Sequence, residues 1–283
     1  MLKRISCLVL STVLLLGIMV QQVIALEGPA VSEEQQITTI PEGPCVLLDG
    51  AVIESADPFI YEQTTYVSLR SVTMALRPDA VVAWESDHAV VTADGLSITA
   101  YPNKKYMVAN GRYLYLPYGV RFENNCIMVP VRELAKALGA QVWWNPDDSN
   151  VYITSGTGAI VSGDEFYNSD SVYWLSRIIF AESGNQSLEG KIGVGNVILN
   201  RVNSPSFPNT IYGVIFQSNQ FTPASSGSIY KDPNTDSIIA AKLCLDGAVL
   251  LPSALWFNRT SCNSWAARHK SCVATIGAHS FYA

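Results

Sequence analysis

Glu182 is the residue whose surroundings in this sequence best suit it to chemistry. Leu175 and Ile178 lie seven and four residues before it, so all three share one face of any helix through the stretch. A carboxyl at the end of an apolar face is partly desolvated, and desolvation disfavours its charged form. Such a group holds its proton nearer to neutral pH and can deliver it, which is general acid chemistry. The same position equally suits a solvated glutamate at a fraying helix end, and the local pattern alone leaves both readings open. Other chemistries find less support. His88, His269 and His279 show neither HExxH-type nor clustered ligand spacing, so no metal and no cofactor is expected. No GxSxG nucleophile elbow occurs. Cys244 lies in the apolar run 238–245, which suits a buried inert thiol better than a reactive thiolate.

A helix must hold that acid. Val172, Leu175, Ile178 and Ile179 recur at helical spacing over 172–182, and Gly184 follows as a stop. Ser187 can cap the next helix, with Glu189 in its first turn complementing the dipole, and Pro205 and Pro208 follow its end near Val202. A short helix over 210–216, a loop over 220–232 and a longer helix from 234–235 to about 250 come next. Asp246, beside Gly247 near the end of that helix, is expected to face solvent. The tail, 254–258 and 273–282, reads as extended and aromatic. This half is mostly helical with a small β element.

The first half contains an internal repeat. Tyr66-Val67-Ser68-Leu69-Arg70, then Ala75-Leu76 and Val82-Ala83-Trp84, is echoed by Met128-Val129-Pro130-Val131-Arg132, then Ala137-Leu138 and Val142-Trp143-Trp144. Each unit ends in a β-rich run, 89–92 and 150–154. Strand, short helix, strand, strand, given twice, is the simplest reading, and such units bury their faces on each other. Trp84, Trp143 and Trp144 serve either as core or as a sugar-stacking face. The fold class is therefore α+β: a β-rich repeat domain, then a mostly helical domain.

Composition sets the boundaries. Met-Leu-Lys-Arg, an apolar run over 8–20 and Val23-Ile24-Ala25 have the layout of a secretory signal peptide, with cleavage expected after Ala25. The run is shorter than the roughly 20 residues that span a bilayer, so no stable membrane span is expected after cleavage. Residues 26–44 and 155–170 read as linkers, bracketing domains over 45–154 and 171–283. Loss of Lys3 and Arg4 takes the formal charge from −6 to −8 and leaves no basic stripe, which argues against nucleic acid. Five cysteines then remain of six. In an oxidising compartment Cys262 and Cys272, flanking a polar loop, are the first expected pair, and Cys45 with Cys126 is another.

The C-terminal half resembles the SleB/CwlJ family of cell-wall hydrolases. The residues that carry the resemblance are Ser176-Arg177-Ile178-Ile179-Phe180-Ala181-Glu182-Ser183-Gly184-Asn185-Gln186, Glu189-Gly190-Lys191 and Asn196-Val197-Ile198-Leu199-Asn200-Arg201-Val202. They continue through Ser204-Pro205-Ser206-Phe207-Pro208-Asn209-Thr210, Gly213-Val214-Ile215, Gln220-Phe221, Trp256-Phe257-Asn258 and Ile276-Gly277-Ala278-His279-Ser280-Phe281. The resemblance implies a reduced lysozyme-like fold, with the catalytic glutamate at Glu182. The repeat domain resembles the copper amine oxidase N-terminal-like stalk domain. It carries one histidine, His88, and no ligand cluster. Two departures stand out: many members have a second Glu where this chain has Asn185, and the usual helical wall-binding repeat is replaced by the stalk-like domain.

That resemblance implies a secreted enzyme of the cell wall or spore envelope, with peptidoglycan glycan strands as its partner. Hydrolysis of a glycoside normally takes two flanking carboxylates, and neither Glu189 nor Asp246 has a convincing claim to be the second. A lytic transglycosylase needs one acid/base, because the muramic 6-hydroxyl closes onto C1 as its own nucleophile. Gln220, Phe221, Trp256, Asn258 and His279 are the groups expected around the sugars. Phe221 and Trp256 would serve equally as core, and His279 as an internally satisfied histidine. The competing function is a non-catalytic wall-binding or spore-coat protein that keeps the fold without the acid.

Overall fold

The computed structural model describes residues 44–283; the signal segment and nearly all of the 26–44 linker lie outside them. Strands β1 (Val46–Leu48), β2 (Ala51–Val52) and β3 (Phe59–Tyr61) lead into a first unit. That unit is β4 (Thr64–Ser68), α1 (Leu69–Leu76), β5 (Val81–Glu85) and β6 (His88–Ala93). Strands β7 (Leu96–Ala100), β8 (Tyr106–Ala109) and β9 (Arg112–Tyr115) extend its sheet in the order β5-β6-β7-β8-β9. After β10 (Arg121–Glu123) the second unit repeats the first as β11 (Cys126–Pro130), α2 (Val131–Ala137), β12 (Gln141–Asn145) and β13 (Asn150–Thr154).

The repeat is therefore structural, and it is nearly symmetric. Strands β4 and β11 pair antiparallel with Val67 opposite Val129, equivalent positions of the two units. A pseudo-twofold axis runs between them. Ser68 caps α1 by accepting from the Ser71 amide, a role that Pro130 cannot fill for α2. Each unit's helix start and tryptophan strand line a cavity with residues of the other unit, one of about 380 Å³ at Trp84 and Phe122, one of about 420 Å³ at Ile60 and Trp143. Trp84 and Trp143 are both 50% exposed there, whereas Trp144 packs onto the core.

The segment over 155–170, expected as a free linker, is packed. Ile160 is buried in the first core, and α3 (Gly163–Phe166) follows it. The Asn110 side chain donates to Ile160 O (2.9 Å), and the Gly163 amide donates to Asn110 O (2.7 Å). A Cβ on Gly163 would stand 2.5 Å from the Gly111 carbonyl, so this backbone approach admits only glycine.

The second core is built by α4 (Ser169–Ser183), α5 (Leu188–Val202), α6 (Ile211–Ile215), α7 (Thr222–Ser226) and α8 (Thr235–Leu245). Asn168, Ser187, Thr210 and Asn234 cap α4, α5, α6 and α8 through their side chains. Helix α8 stops at Leu245, short of the expected 250, because Gly247 turns into left-handed backbone (φ +101°). Then come β14 (Trp256–Arg259), α9 (Trp265–His269), β15 (Cys272–Ile276) and β16 (His279–Tyr282), forming a sheet ordered β14-β16-β15.

Asp246 contradicts its expected exposure. Its carboxylate is 1% exposed and receives both prongs of Arg112 (2.9 and 2.8 Å), Lys136 (2.7 Å) and the Tyr167 hydroxyl (2.9 Å). These partners hold it ionised, below the usual carboxylate range, against the opposing effect of burial. Tyr106, Tyr113 and Tyr115 of β8 and β9 pack on the second core. The expected Cys262–Cys272 bond is also corrected: both are exposed free thiols. Cys272 opens β15 opposite Tyr282, while Cys262 follows the other end of β14, beyond Arg259 opposite His279. They sit on opposite edges and at opposite ends of a sheet whose strands are about 4.8 Å apart, beyond disulfide reach.

Candidate active site

Helix α4 carries Glu182 to the surface of the second core. Leu175, Ile178 and Ile179 are fully buried, and each such side chain contributes about 1.5–3 kcal/mol of transfer free energy to the helix position. Glu182 is half-buried on the same side. Burial lifts its carboxyl above the usual 4.5, and the charge of Arg259 pulls it partly back. After Gly184 the chain turns sharply into α5. Asn234 Nδ2 donates to Gly184 O (3.2 Å) and the buried Lys191 ammonium donates to Gln186 O, fixing the turn from both sides.

The facing wall comes from the small sheet. Gln186 Oε1 accepts from the Ala278 amide (3.0 Å), which ties the β15–β16 turn to the end of α4. Gly277 allows this approach: its φ is +56°, and a Cβ there would stand 2.5 Å from Gln186 Oε1. Strand alternation does the rest. Arg259 lies opposite His279 and Phe257 opposite Phe281, so these four share a face. Phe281 is buried in the second core, which directs Arg259 and His279 toward Glu182.

The result is a polar cavity of about 310 Å³. Glu182, Asn185 and Gln186 form one wall; Arg259, Thr260, Ser261, Ala278 and His279 form the other. His279 is 6% exposed, and burial and Arg259 both lower its pKa, so the ring is neutral at neutral pH. Its Nδ1 has no hydrogen-bond partner. Glu182 is the single carboxylate in this lining. Glu189 is engaged by Lys105 and Asp246 by Arg112, both toward the first domain. Glu133, also lifted by burial, lines the first-domain cavity at Ile60 and Trp143 beside Arg132.

Of the residues expected around a sugar, His279 joins Glu182 in the cavity. The others do not line it. Gln220 accepts from Arg201 (3.1 Å) at the edge of α7, and Phe221 is core, 6.3 Å from Phe257. Trp256 and Asn258 fall on the opposite face of β14, Trp256 among Phe207, Trp265 and Lys270. Asn258 leaves its buried Nδ2 unpartnered. Sequence reasoning missed Arg259, Thr260, Ser261 and Gln186; the alternation of 256–259 against 279–282 was the signal that could have found Arg259. Cys244 is buried as expected, 4% exposed with its thiol pushed up to about 12 by burial. Among the described residues no group of three His, Cys, Asp or Glu could hold a metal ion, and no helix is long and apolar enough to cross a membrane.

Comparison with known proteins divides the chain in the same two parts. Residues 47–156 match the family model described as copper amine oxidase N-terminal domain, and residues 185–282 the one described as Cell Wall Hydrolase, beginning just after Glu182. The spore cortex-lytic enzyme of Bacillus cereus is 34% identical over 116 residues, 41% of this chain and 45% of the relative. That of Bacillus subtilis (strain 168) is 32% identical over 116 residues, 41% of this chain and 38% of the relative. The chain thus spans less than half the length of these curated relatives. Among solved structures, the catalytic domain of the germination-specific lytic transglycosylase SleB from Bacillus anthracis is 31% identical, covering 41% of this chain and 97% of that one, with a TM-score of 0.39. The C-terminal domain of this chain belongs to the cell wall hydrolase family, and it follows a domain of the copper amine oxidase N-terminal family.

Proposed function

We propose that this chain is an exported enzyme that cleaves peptidoglycan glycan strands, in spore cortex or cell wall, between N-acetylmuramic acid and N-acetylglucosamine. Glu182 is its acid/base, and the reaction is a transglycosylation. The observation that carries this reading is a single carboxyl, lifted by burial, in a polar cavity whose lining holds no second acid. Protonated Glu182 gives its proton to the glycosidic oxygen as the C1–O bond breaks. The muramic 6-hydroxyl then attacks C1, and the Glu182 carboxylate takes the hydroxyl proton, returning to its starting form. The product is a 1,6-anhydromuramic end. Because the nucleophile is already attached to the sugar, its entropy of approach is largely spent beforehand. Gln186 holds the two cavity walls together, and the neutral ring of His279 is available for hydrogen bonding to sugar.

The test is Glu182→Gln in the full chain, assayed on purified sacculi alongside its thermal transition. The amide cannot deliver a proton, so turnover is expected to fall about 1,000-fold or more with the fold kept, within the usual contribution of one acid/base group. Wild-type protein that binds sacculi without cleaving them would instead establish the wall-binding or spore-coat role.

A further inference from the structure

We propose that the first domain carries two equivalent glycan-binding grooves, one at Trp84 and Phe122 and one at Trp143 and Ile60. Both are separate from the Glu182 cavity. The grooves are one structure built twice, and the strand registers carry the equivalence. Phe122 faces Ile127 across β10 and β11 as Ile60 faces Thr65 across β3 and β4. Trp84 faces Ala89 across β5 and β6 as Trp144 faces Val151 across β12 and β13. All eight residues line their own groove. The turns that enter β11 and β4 match as well: Asn125 (φ +61°) and Gln63 (φ +59°) bring an amide side chain to each groove.

Each groove exposes one large apolar side chain from each of its two walls. Trp84 and Phe122 stand on β5 and β10, edge strands of different sheets, with ring centroids 5.9 Å apart. Trp143 and Ile60 stand on β12 and β3, again edge strands of different sheets. Trp143 stacks on Tyr152 at 4.3 Å, which steadies its ring. All four side chains are half exposed, and none belongs to the first core. Their apolar surface is left for a ligand to cover.

The occupant is a neutral glycan strand, a choice that rests on the glycan-cleaving reading of the attached domain. A sugar ring offers an apolar C–H face to an indole and offers hydroxyl and acetamido groups to an amide. Each groove presents that combination. A site made twice suits a ligand that repeats, and two weak contacts on one polymer multiply in affinity. Charge does not supply the attachment: the formal charge is −6, so long-range attraction to an acidic wall is absent. The pseudo-twofold axis between β4 and β11 reverses one groove relative to the other. The two grooves therefore hold strand segments of opposite sense. Because Arg112 and Asp246 fasten the domains together, strands held there keep the Glu182 cavity at the wall.

The test uses the full chain carrying Glu182→Gln, so that strands are bound and not consumed, sedimented with sacculi stripped of their peptides. Trp84→Ala with Phe122→Ala, or Trp143→Ala with Ile60→Ala, is expected to weaken retention about 10-fold, and all four together about 100-fold. Trp84→Phe and Trp143→Phe, which keep a ring, should preserve most of it. Added salt should leave retention nearly unchanged, because no ion pair forms. Retention that survives all four substitutions, or that is seen only on strands keeping their stem peptides, overturns the grooves as glycan sites. If a variant lacks the parent's thermal transition, oxidative footprinting of the parent chain decides instead. Sacculi should then protect Trp84 and Trp143, and equal oxidation with and without sacculi overturns the proposal. Cleavage is read separately in the chain that keeps Glu182. A wild type inert on sacculi, with retention still lost in the groove variants, overturns the glycan-cleaving reading alone.

Discussion

Arg112 and Asp246, 134 positions apart, meet in a two-pronged ion pair that is closed from solvent between the two domains. Lys136 and the Tyr167 hydroxyl complete the coordination of the carboxylate, and Phe166 lies 3.4 Å from the guanidinium. The first domain is thus fastened to the end of α8, the helix packed beside α4 and α5, rather than tethered by a free segment.

Removing one partner leaves a buried charge uncompensated. Asp246→Ala in the full chain is therefore expected to lower the unfolding free energy by about 3–5 kcal/mol, measured by urea titration. The double variant Arg112→Met, Asp246→Leu should regain most of that, since two apolar groups need no pairing. A loss below about 1 kcal/mol in the single variant would place the interface energy in the surrounding tyrosines instead.

The Gln186 tether predicts a second effect. Gly277→Val forces a side chain into left-handed backbone and against Gln186 Oε1. The expected cost is about 1–3 kcal/mol of stability, with kcat reduced because the His279 wall shifts. Gln186→Ala, which only removes the acceptor of the Ala278 amide, should lower kcat with a smaller change in melting temperature. Unchanged turnover in both variants would show that the two walls are held by other contacts.

These two relationships mark where the sequence stopped being informative. The helix face carrying Glu182 and the capping residue Ser187 were legible because a helix face and an N-cap are set within a few residues. The paired repeat was legible because it is written twice. Arg259 was not, since its approach to Glu182 depends on which way β14 faces when it pairs with β16. The same parity turned Trp256 and Asn258 to the other side. Asp246 read as exposed because its partners lie in another domain. Cys262 and Cys272, ten residues apart, looked adjacent until the sheet order placed β16 between β14, which Cys262 follows, and β15, which Cys272 opens.

The raised carboxyl of Glu182 also has a stability signature. Its proton is held more tightly in the folded chain than in the unfolded one, whose glutamates titrate near about 4.3. That contribution is fully present below the unfolded value and lost as pH rises through the folded one. Glu182→Gln does not titrate, so its melting temperature should match wild type near pH 4 and exceed it at pH 7. Melting curves of both proteins across this range check the sign. A gap independent of pH would mean that the carboxyl is not desolvated.

The most direct test of a single-acid mechanism is the chemistry of the new ends. Wild-type digests of cortex and vegetative sacculi are analysed by mass spectrometry before and after borohydride. Hydrolytic ends gain two hydrogens, whereas 1,6-anhydromuramic ends do not. With Glu182 as the cavity's one carboxylate, the fragments are expected to keep their masses, and a folded Glu182→Gln protein to yield none. Uniformly reducible ends, or fragments from the folded variant, would contradict the account and require a second catalytic group.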